Sequence, residues 1–284
     1  MELKFFREPN TYVGSVNLKV ENLQKSIPFY RDVIGLQIIE QTEKKVKLTA
    51  DGKTTLLTLE QPDFVVGKQD NTTGLYHFAL LLPNRLELAK VLKHFIDHNV
   101  PIGASDHLVS EALYLNDPDG NGIEIYHDRP EENWDWQASE VKMAVDPLDA
   151  PSILNELNGE RWEGLPSNTI MGHIHLHVSD LNKALQFYKD GLGFHVVNQF
   201  GNQALFMSTG QYHHHIGLNT WQGAGAPPAS KESVGLKSFE LVFPSEAHRE
   251  KVIRQVTELG FQVKQEMNIF VTEDPSGNLI KLCI

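Results

Sequence analysis

The chain repeats itself, and that limits what it can fold into. The segment VGSVNLKVENLQKSIPFYRDVIGL from Val13 returns as MGHIHLHVSDLNKALQFYKDGLGF from Met171, with Leu23/Leu181, Phe29/Phe187, Tyr30/Tyr188 and Gly35/Gly193 in register. GLYHFALLLP from Gly74 returns as GLKSFELVFP from Gly235, and DPDGNGIEIY from Asp117 as DPSGNLIKLC from Asp274. Each half therefore holds two smaller units, giving four at about 11–62, 72–128, 169–222 and 234–284, the mark of one supersecondary block used repeatedly.

Every unit reads as a strand, a helix and then short strands, which predicts an α+β fold of four tandem βαβββ units. His173 to Val178 alternates polar and apolar residues with period two, as a half-buried strand does. Asp180 then suits an N-cap, with Leu181, Ala184, Leu185 and Tyr188 at helical spacing toward Gly191 and Gly193. Asn22, Leu23, Ile27, Tyr30 and Val33 repeat this in the first unit, where Pro28 should disturb the helix. Leu86, Ala89, Leu92, Phe95 and Ile96 form the stripe of the second, which Asn99 suits as a left-handed stop. DPDGNG and DPSGN are turn sequences ahead of a final strand. Between the halves, residues 129–168 carry Pro130, Pro147, Pro151 and Pro166. They read as a linker draped over the surface, with one short helix within Pro147 to Glu156.

With 25 Lys+Arg against 37 Asp+Glu the chain carries a net charge of −12, which argues against a nucleic-acid partner. No stretch approaches the roughly 18 apolar residues of a membrane span, and MELKFFREPN lacks a secretory apolar run, so a cytoplasmic protein is expected. The single cysteine, Cys283, excludes an internal disulfide and a cysteine-based zinc cage, and reads as a packing residue. The 13 histidines are the unusual count.

The four units, the opening Val-x-[Asp/Asn]-Leu followed by Phe-Tyr and Gly-Leu, and the ending Leu-Tyr-x-x-Asp-Pro-Asp-Gly-Asn-x-x-Glu-Ile-Tyr resemble the vicinal oxygen chelate superfamily. That superfamily includes glyoxalase I, bleomycin-binding proteins and extradiol ring-cleaving dioxygenases. In order and length the chain is most similar to bacterial two-domain catechol-2,3-dioxygenases. The resemblance implies vicinal oxygen chelate domains at 11–128 and 169–284 that form U-shaped mixed sheets, joined by an irregular linker at 129–168.

In this superfamily paired units enclose a metal, held from the first and last strands of the units. The corresponding positions are Ser15, His77, Glu124, His173, Ser238 and Lys281, of which only three are metal-binding types. Pairing first with second and third with fourth would divide them between two incomplete cups. Pairing second with third collects His77, Glu124 and His173, and leaves the first and fourth units a cup without a metal. Two imidazoles and one carboxylate leave open positions on the ion, as in non-haem Fe(II) oxygenases. The resemblance thus implies Fe(II), or Mn(II) at the same ligands, with O2 as co-substrate and a small catechol-like aromatic as substrate. His175 shares the face of His173, but the register with Ser15 favours His173.

The resemblance also implies an acid-base histidine in Tyr212-His213-His214-His215-Ile216-Gly217, matched by His214, and a tyrosine ten residues before the carboxylate, matched by Tyr114. A histidine suits proton transfer near neutral pH. Register there is open by one residue, since on a strand His213 and His215 share one face and His214 takes the other. The same segment lacks the second carboxylate of a glyoxalase site. Asp106-His107 reads either as a pair supporting the site or as a solvated loop, and His127, Tyr126, Phe78, Phe206 and Trp221 as pocket lining or core. Two rival functions are a glyoxalase-like isomerase or thiol transferase, which a basic pocket would favour, and a non-catalytic binding or resistance protein, which would lack the triad. Monomer and homo-oligomer both suit the acidic surface.

Overall fold

The computed structural model describes residues 4–284. The first unit contains β1 (Tyr12–Lys19), α1 (Leu23–Pro28), β2 (Gln37–Gln41), β3 (Lys45–Thr49) and β4 (Leu57–Glu60). The second contains β5 (Gly74–Leu82), α2 (Arg85–Asp97), β6 (Gly103–Asp106), β7 (Ser110–Asn116) and β8 (Gly122–Asp128). The linker holds the short strands β9 (Trp136–Gln137) and β10 (Glu140–Val141) and the helix α3 (Ala150–Leu154). The third unit contains β11 (Ile170–His177), α4 (Leu181–Leu185), β12 (His195–Phe200), β13 (Ala204–Ser208) and β14 (Ile216–Asn219). The fourth contains β15 (Gly235–Val242), α5 (Glu246–Glu258), β16 (Val263–Glu266), β17 (Ile269–Glu273) and β18 (Leu279–Cys283).

These strands form two mixed eight-stranded sheets. One has the order β16-β17-β18-β15-β1-β4-β3-β2 and joins the first and fourth units; the other, β12-β13-β14-β11-β5-β8-β7-β6, joins the second and third. The sheets therefore pair as the donor positions require. No helix among the described residues is long and apolar enough to cross a membrane.

Local sequence explains most element boundaries. Asn22 and Asp180 cap α1 and α4 by accepting from backbone amides two or three residues on. Asn99 takes the left-handed conformation after α2, at φ 52. The buried stripe of α2 is rotated from the expected one, running through Leu88, Ala89, Val91, Leu92 and Phe95, while Ile96 is exposed. After α1 the chain widens into a π-turn at Phe29–Val33, but the third unit does the same at Gln186–Gly191 without a proline. Pro28 is not the cause. The wider turn accompanies an inward tyrosine in both places: Tyr30 donates to Asp117 at 2.8 Å and Tyr188 to Asp274 at 3.1 Å. The repeated Phe-Tyr and Asp-Pro motifs thus tie the first unit to the second and the third to the fourth.

The linker is more than a surface drape. Trp134, Val141, Ile153 and Leu165 are buried. Phe5, Phe6, Trp134, Tyr126 and Tyr212 form an aromatic cluster with Ala79, Leu81 and Ala112, residues that share a sheet face with His77, Glu124 and Tyr114. This cluster plugs part of that face. The segment 141–146 crosses from one sheet edge to the other: Asn198 of β12 donates its side-chain amide to the Val141 carbonyl at 2.7 Å, and Asp106 of β6 exchanges both backbone hydrogen bonds with Asp146 at 2.9 Å. A bridge this short spans about 20 Å. A flat sheet of this size would separate its edges by about 34 Å, so the sheet is curled into a cup and the linker straps its opening.

Candidate metal centre

Three neighbouring strands present the candidate ligands on one face. In the antiparallel β5–β11 pair His77 faces His175 and Ala79 faces His173, while in the parallel β5–β8 pair Ala79 lies beside Glu124. Paired residues share a side of the sheet, so all four polar side chains enter the concave face. Nε2 of His77 lies 3.3 Å from Nε2 of His173, and Oε2 of Glu124 lies 3.0 Å from the former and 3.1 Å from the latter. Three donors at right angles around a divalent ion, each about 2.1 Å away, stand about 3.0 Å apart. The spacing is that of one octahedral face.

The surroundings prepare these groups to bind a cation. All three are buried, and among the described residues they form the group of His, Cys, Asp or Glu whose donor atoms converge closely enough to hold a metal ion. Burial pushes the Glu124 carboxyl up, but His173 and His77 outweigh it and hold it well below the usual range. Burial lowers His173 to about 4, against an upward pull from Glu124. A charged carboxylate and a neutral imidazole are the forms that coordinate metal. Nδ1 of His173 has no protein partner. The donor set therefore fits a divalent ion, which His77, Glu124 and His173 could hold.

His175 enters the same cavity but is engaged elsewhere. Asn219 donates its amide to Nε2 of His175 at 2.9 Å and accepts from Nδ1 of His177 at 2.7 Å. Gly217 explains why no second carboxylate approaches from β14. It pairs with His175, and a Cβ there would lie 2.7 Å from the His175 ring. That side of the donor set stays open. In the other sheet, Ser15 and Ser238 are buried and Lys281 pairs with Glu240 at 3.3 Å, a set without metal-binding character.

His213, His214 and His215 do not lie on a strand; β14 begins at Ile216. Their directions follow contacts. His215 Nε2 meets the Phe5 carbonyl at 3.1 Å, and burial lowers its pKa to about 3. His213 Nε2 lies 2.8 Å from Asp128, and its Nδ1 lies 2.8 Å from Nδ1 of His214. A carboxylate only accepts, so His213 carries a proton on Nε2, and with both rings neutral it accepts at Nδ1 from His214. This leaves Nε2 of His214 as the basic nitrogen. His214 lines the cavity with its ring 4.1 Å from that of His173, and burial lowers its pKa well below the ordinary value.

Tyr114 reaches the donor set from β7, opposite Glu124. Burial raises its hydroxyl pKa well above the ordinary value, assisted by Glu124. His107 belongs to this group, paired with Tyr114 rather than with Asp106. Its Nδ1 lies 2.7 Å from the Ala144 carbonyl and its Nε2 2.6 Å from the Tyr114 hydroxyl. Asp106 instead turns to Arg129.

His77, Glu124, His175, His214, Tyr114 and His107 line a cavity of about 300 Å³ that opens outward past Tyr76, Met143, Val145, Phe200, Phe206 and Trp221. Of the residues whose sequence reads equally as lining or core, Phe206 and Trp221 are lining. Phe78 is core, Tyr126 joins the aromatic plug through a 2.7 Å contact with Tyr212, and His127 pairs with Glu111 at 2.8 Å. Gly172 allows the Tyr126 packing, since a Cβ there would lie 2.0 Å from its hydroxyl. Sequence reading missed Met143, Ala144, Val145 and Phe200. Only Phe200, an aromatic residue ending a polar strand, carried a local signal.

Comparison with known proteins agrees with this architecture. The model of the glyoxalase/bleomycin resistance protein/dioxygenase superfamily matches residues 12–125 and 170–282. The chain is 46% identical over 280 residues to a catechol-2,3-dioxygenase of Bacillus subtilis (strain 168), covering 97% of this chain and 98% of the relative. The crystal structure of a putative dioxygenase from Bacillus subtilis subsp. subtilis str. 168 superposes with TM-score 0.64 at 16% identity, over 95% of this chain and 84% of the other. Glyoxalase I from Zea mays gives TM-score 0.58 at 16% identity, over 96% and 92%. At these identities the two structures speak for the fold alone. With both repeats matched and a relative 46% identical along nearly the whole of both chains, the chain belongs to the glyoxalase/bleomycin resistance protein/dioxygenase superfamily.

Proposed function

We propose that this protein is a metal-dependent extradiol dioxygenase that opens the ring of a catechol with O2. The observation that carries the reading is a buried two-histidine, one-carboxylate set with an open side, in a chain 46% identical to a catechol-2,3-dioxygenase over nearly the whole of both. His77, Glu124 and His173 would hold Fe(II), or Mn(II), which when bound supplies the open positions and the electron transfer that couple a catechol to O2.

The protein groups divide the remaining work. Nε2 of His214, unprotonated because Nδ1 donates to His213, accepts a catechol proton and returns it to the oxygen leaving during ring opening. The Tyr114 hydroxyl, kept protonated by burial and otherwise bonded to His107, turns its single proton from His107 to substrate oxygen as a ketone develops there. The apolar outer wall excludes water, which strengthens both interactions. Both atoms of O2 enter the product, a ring-opened semialdehyde acid.

Lysine and arginine are absent from the cavity lining, which disfavours an isomerase or transferase built to hold a glutathione-like anion. The experiment is oxygen uptake by anaerobically Fe(II)-reconstituted protein with a panel of catechols, beside His173→Ala. Uptake with a matching yellow product, lost in the variant, is the expected result. Metal binding without oxygen consumption would sink the dioxygenase reading, and uptake surviving in the variant would sink the ligand assignment.

A further inference from the structure

We infer that the site selects catechols whose ring bears an uncharged apolar substituent, and that the linker strap and Phe200 form the subsite for that substituent. This rests on the catechol reading of the site and adds which catechols it accepts.

The cavity has two chemically different ends. Of its titratable groups, His77, Glu124, His175, His214 and Tyr114 gather at the inner end, while Met143, Val145, Phe200 and Trp221 stand at the outer one. Four of the ten large hydrophobic residues exposed among the described residues are at this mouth: Val145 at 71%, Phe200 at 60%, Trp221 at 43% and Tyr76 at 39%. Such a concentration marks a surface that a ligand covers, whereas scattered exposure needs no explanation.

The strap is held in place rather than hanging free. Asn198 holds the Val141 carbonyl, Asp106 holds both polar backbone groups of Asp146, and His107 holds the Ala144 carbonyl. Met143 and Val145 therefore lie between fixed points, a pre-formed wall facing Phe200. Volume leaves them something to contact. A cavity of about 150 Å³ suffices for a benzene ring. The 300 Å³ here leaves room for a further alkyl chain or small ring.

Charge completes the argument. A carboxylate on the substituent would enter a wall with no lysine or arginine, losing hydration without a cationic partner. An alkyl group of similar length gains from the same desolvation.

The test compares 4-propylcatechol with 3,4-dihydroxyphenylacetate, of similar length and opposite polarity, by anaerobic calorimetry on the metal-reconstituted protein, with oxygen uptake measured separately. The expected result is binding of the propyl compound tighter by about a hundredfold or more. In Val145→Arg, where the new side chain is set on an exposed position, the ratio should narrow by about tenfold or more, and Phe200→Ala should narrow it by weakening the propyl compound alone. Metal content reports whether each variant retains its site. Near-equal binding of the two compounds by the unaltered protein overturns the inference, as does a ratio that neither variant changes. Selective binding without oxygen uptake keeps the inference and removes the dioxygenase reading. Equal turnover of both compounds does the reverse, and binding of neither removes both.

Discussion

The Tyr114 hydroxyl lies 2.6 Å from Nε2 of His107, whose Nδ1 lies 2.7 Å from the carbonyl of Ala144. The carbonyl can only accept, so Nδ1 carries the proton and Nε2 accepts from the tyrosine. One imidazole thereby joins a residue beside the donor set to the strap over the cavity.

Removing either end of this link leaves the other unsatisfied in a half-buried place. His107→Ala and Tyr114→Phe should each destabilise the protein by about 1 kcal/mol. The double variant should cost less than their sum, with a coupling of about 1 kcal/mol in urea unfolding. Strict additivity would show that the pair does not interact in solution.

Metal binding should stabilise the fold, because the donors converge only when the second and third units have paired. Free ion at about 100 times its dissociation constant adds about 2.7 kcal/mol. Chelation should lower the thermal midpoint and re-addition of Fe(II) or Mn(II) restore it. Glu124→Ala should bind little metal by elemental analysis and show no response to the chelator.

Gly217→Ala should be destabilising although it adds one methyl group. Its Cβ would lie 2.7 Å from the buried His175 ring, which is tied by Asn219. Overpacking of this kind costs about 1–3 kcal/mol. A shift in the urea midpoint with unchanged slope would measure it.

Glu111 should make a distinct contribution to acid stability. Burial pushes its carboxyl up, but hydrogen bonds from His127 and Arg85 and the charge of Arg129 hold it at about 2. Because the folded pKa is depressed, this stability is fully present above the unfolded value of about 4.5 and is lost as pH falls toward 2. Its size is about 3 kcal/mol. Glu111→Gln should lower the urea midpoint at pH 7 and flatten its decline between about pH 4.5 and 2.

Wherever structure is periodic, the sequence spoke plainly. Duplication revealed four units, strand alternation put His173 and His175 on one face, and the ligand positions implied by the family resemblance favoured pairing the second unit with the third. Those inferences held because strand alternation and repeat register are local properties of the chain. The same logic weakened where the backbone leaves its period. His213 to His215 precede β14 in a bend, so contacts with Asp128 and Phe5, rather than alternation, decide that His214 enters the cavity. Tertiary structure alone also decided that residues 141–146 strap the cup, that His107 turns to Tyr114, and that Tyr126 and His127 leave the cavity for a plug and an ion pair. Each outcome depends on contacts between segments far apart in sequence, whose geometry exists only once the sheet has curled and its edges have come within reach of a few residues.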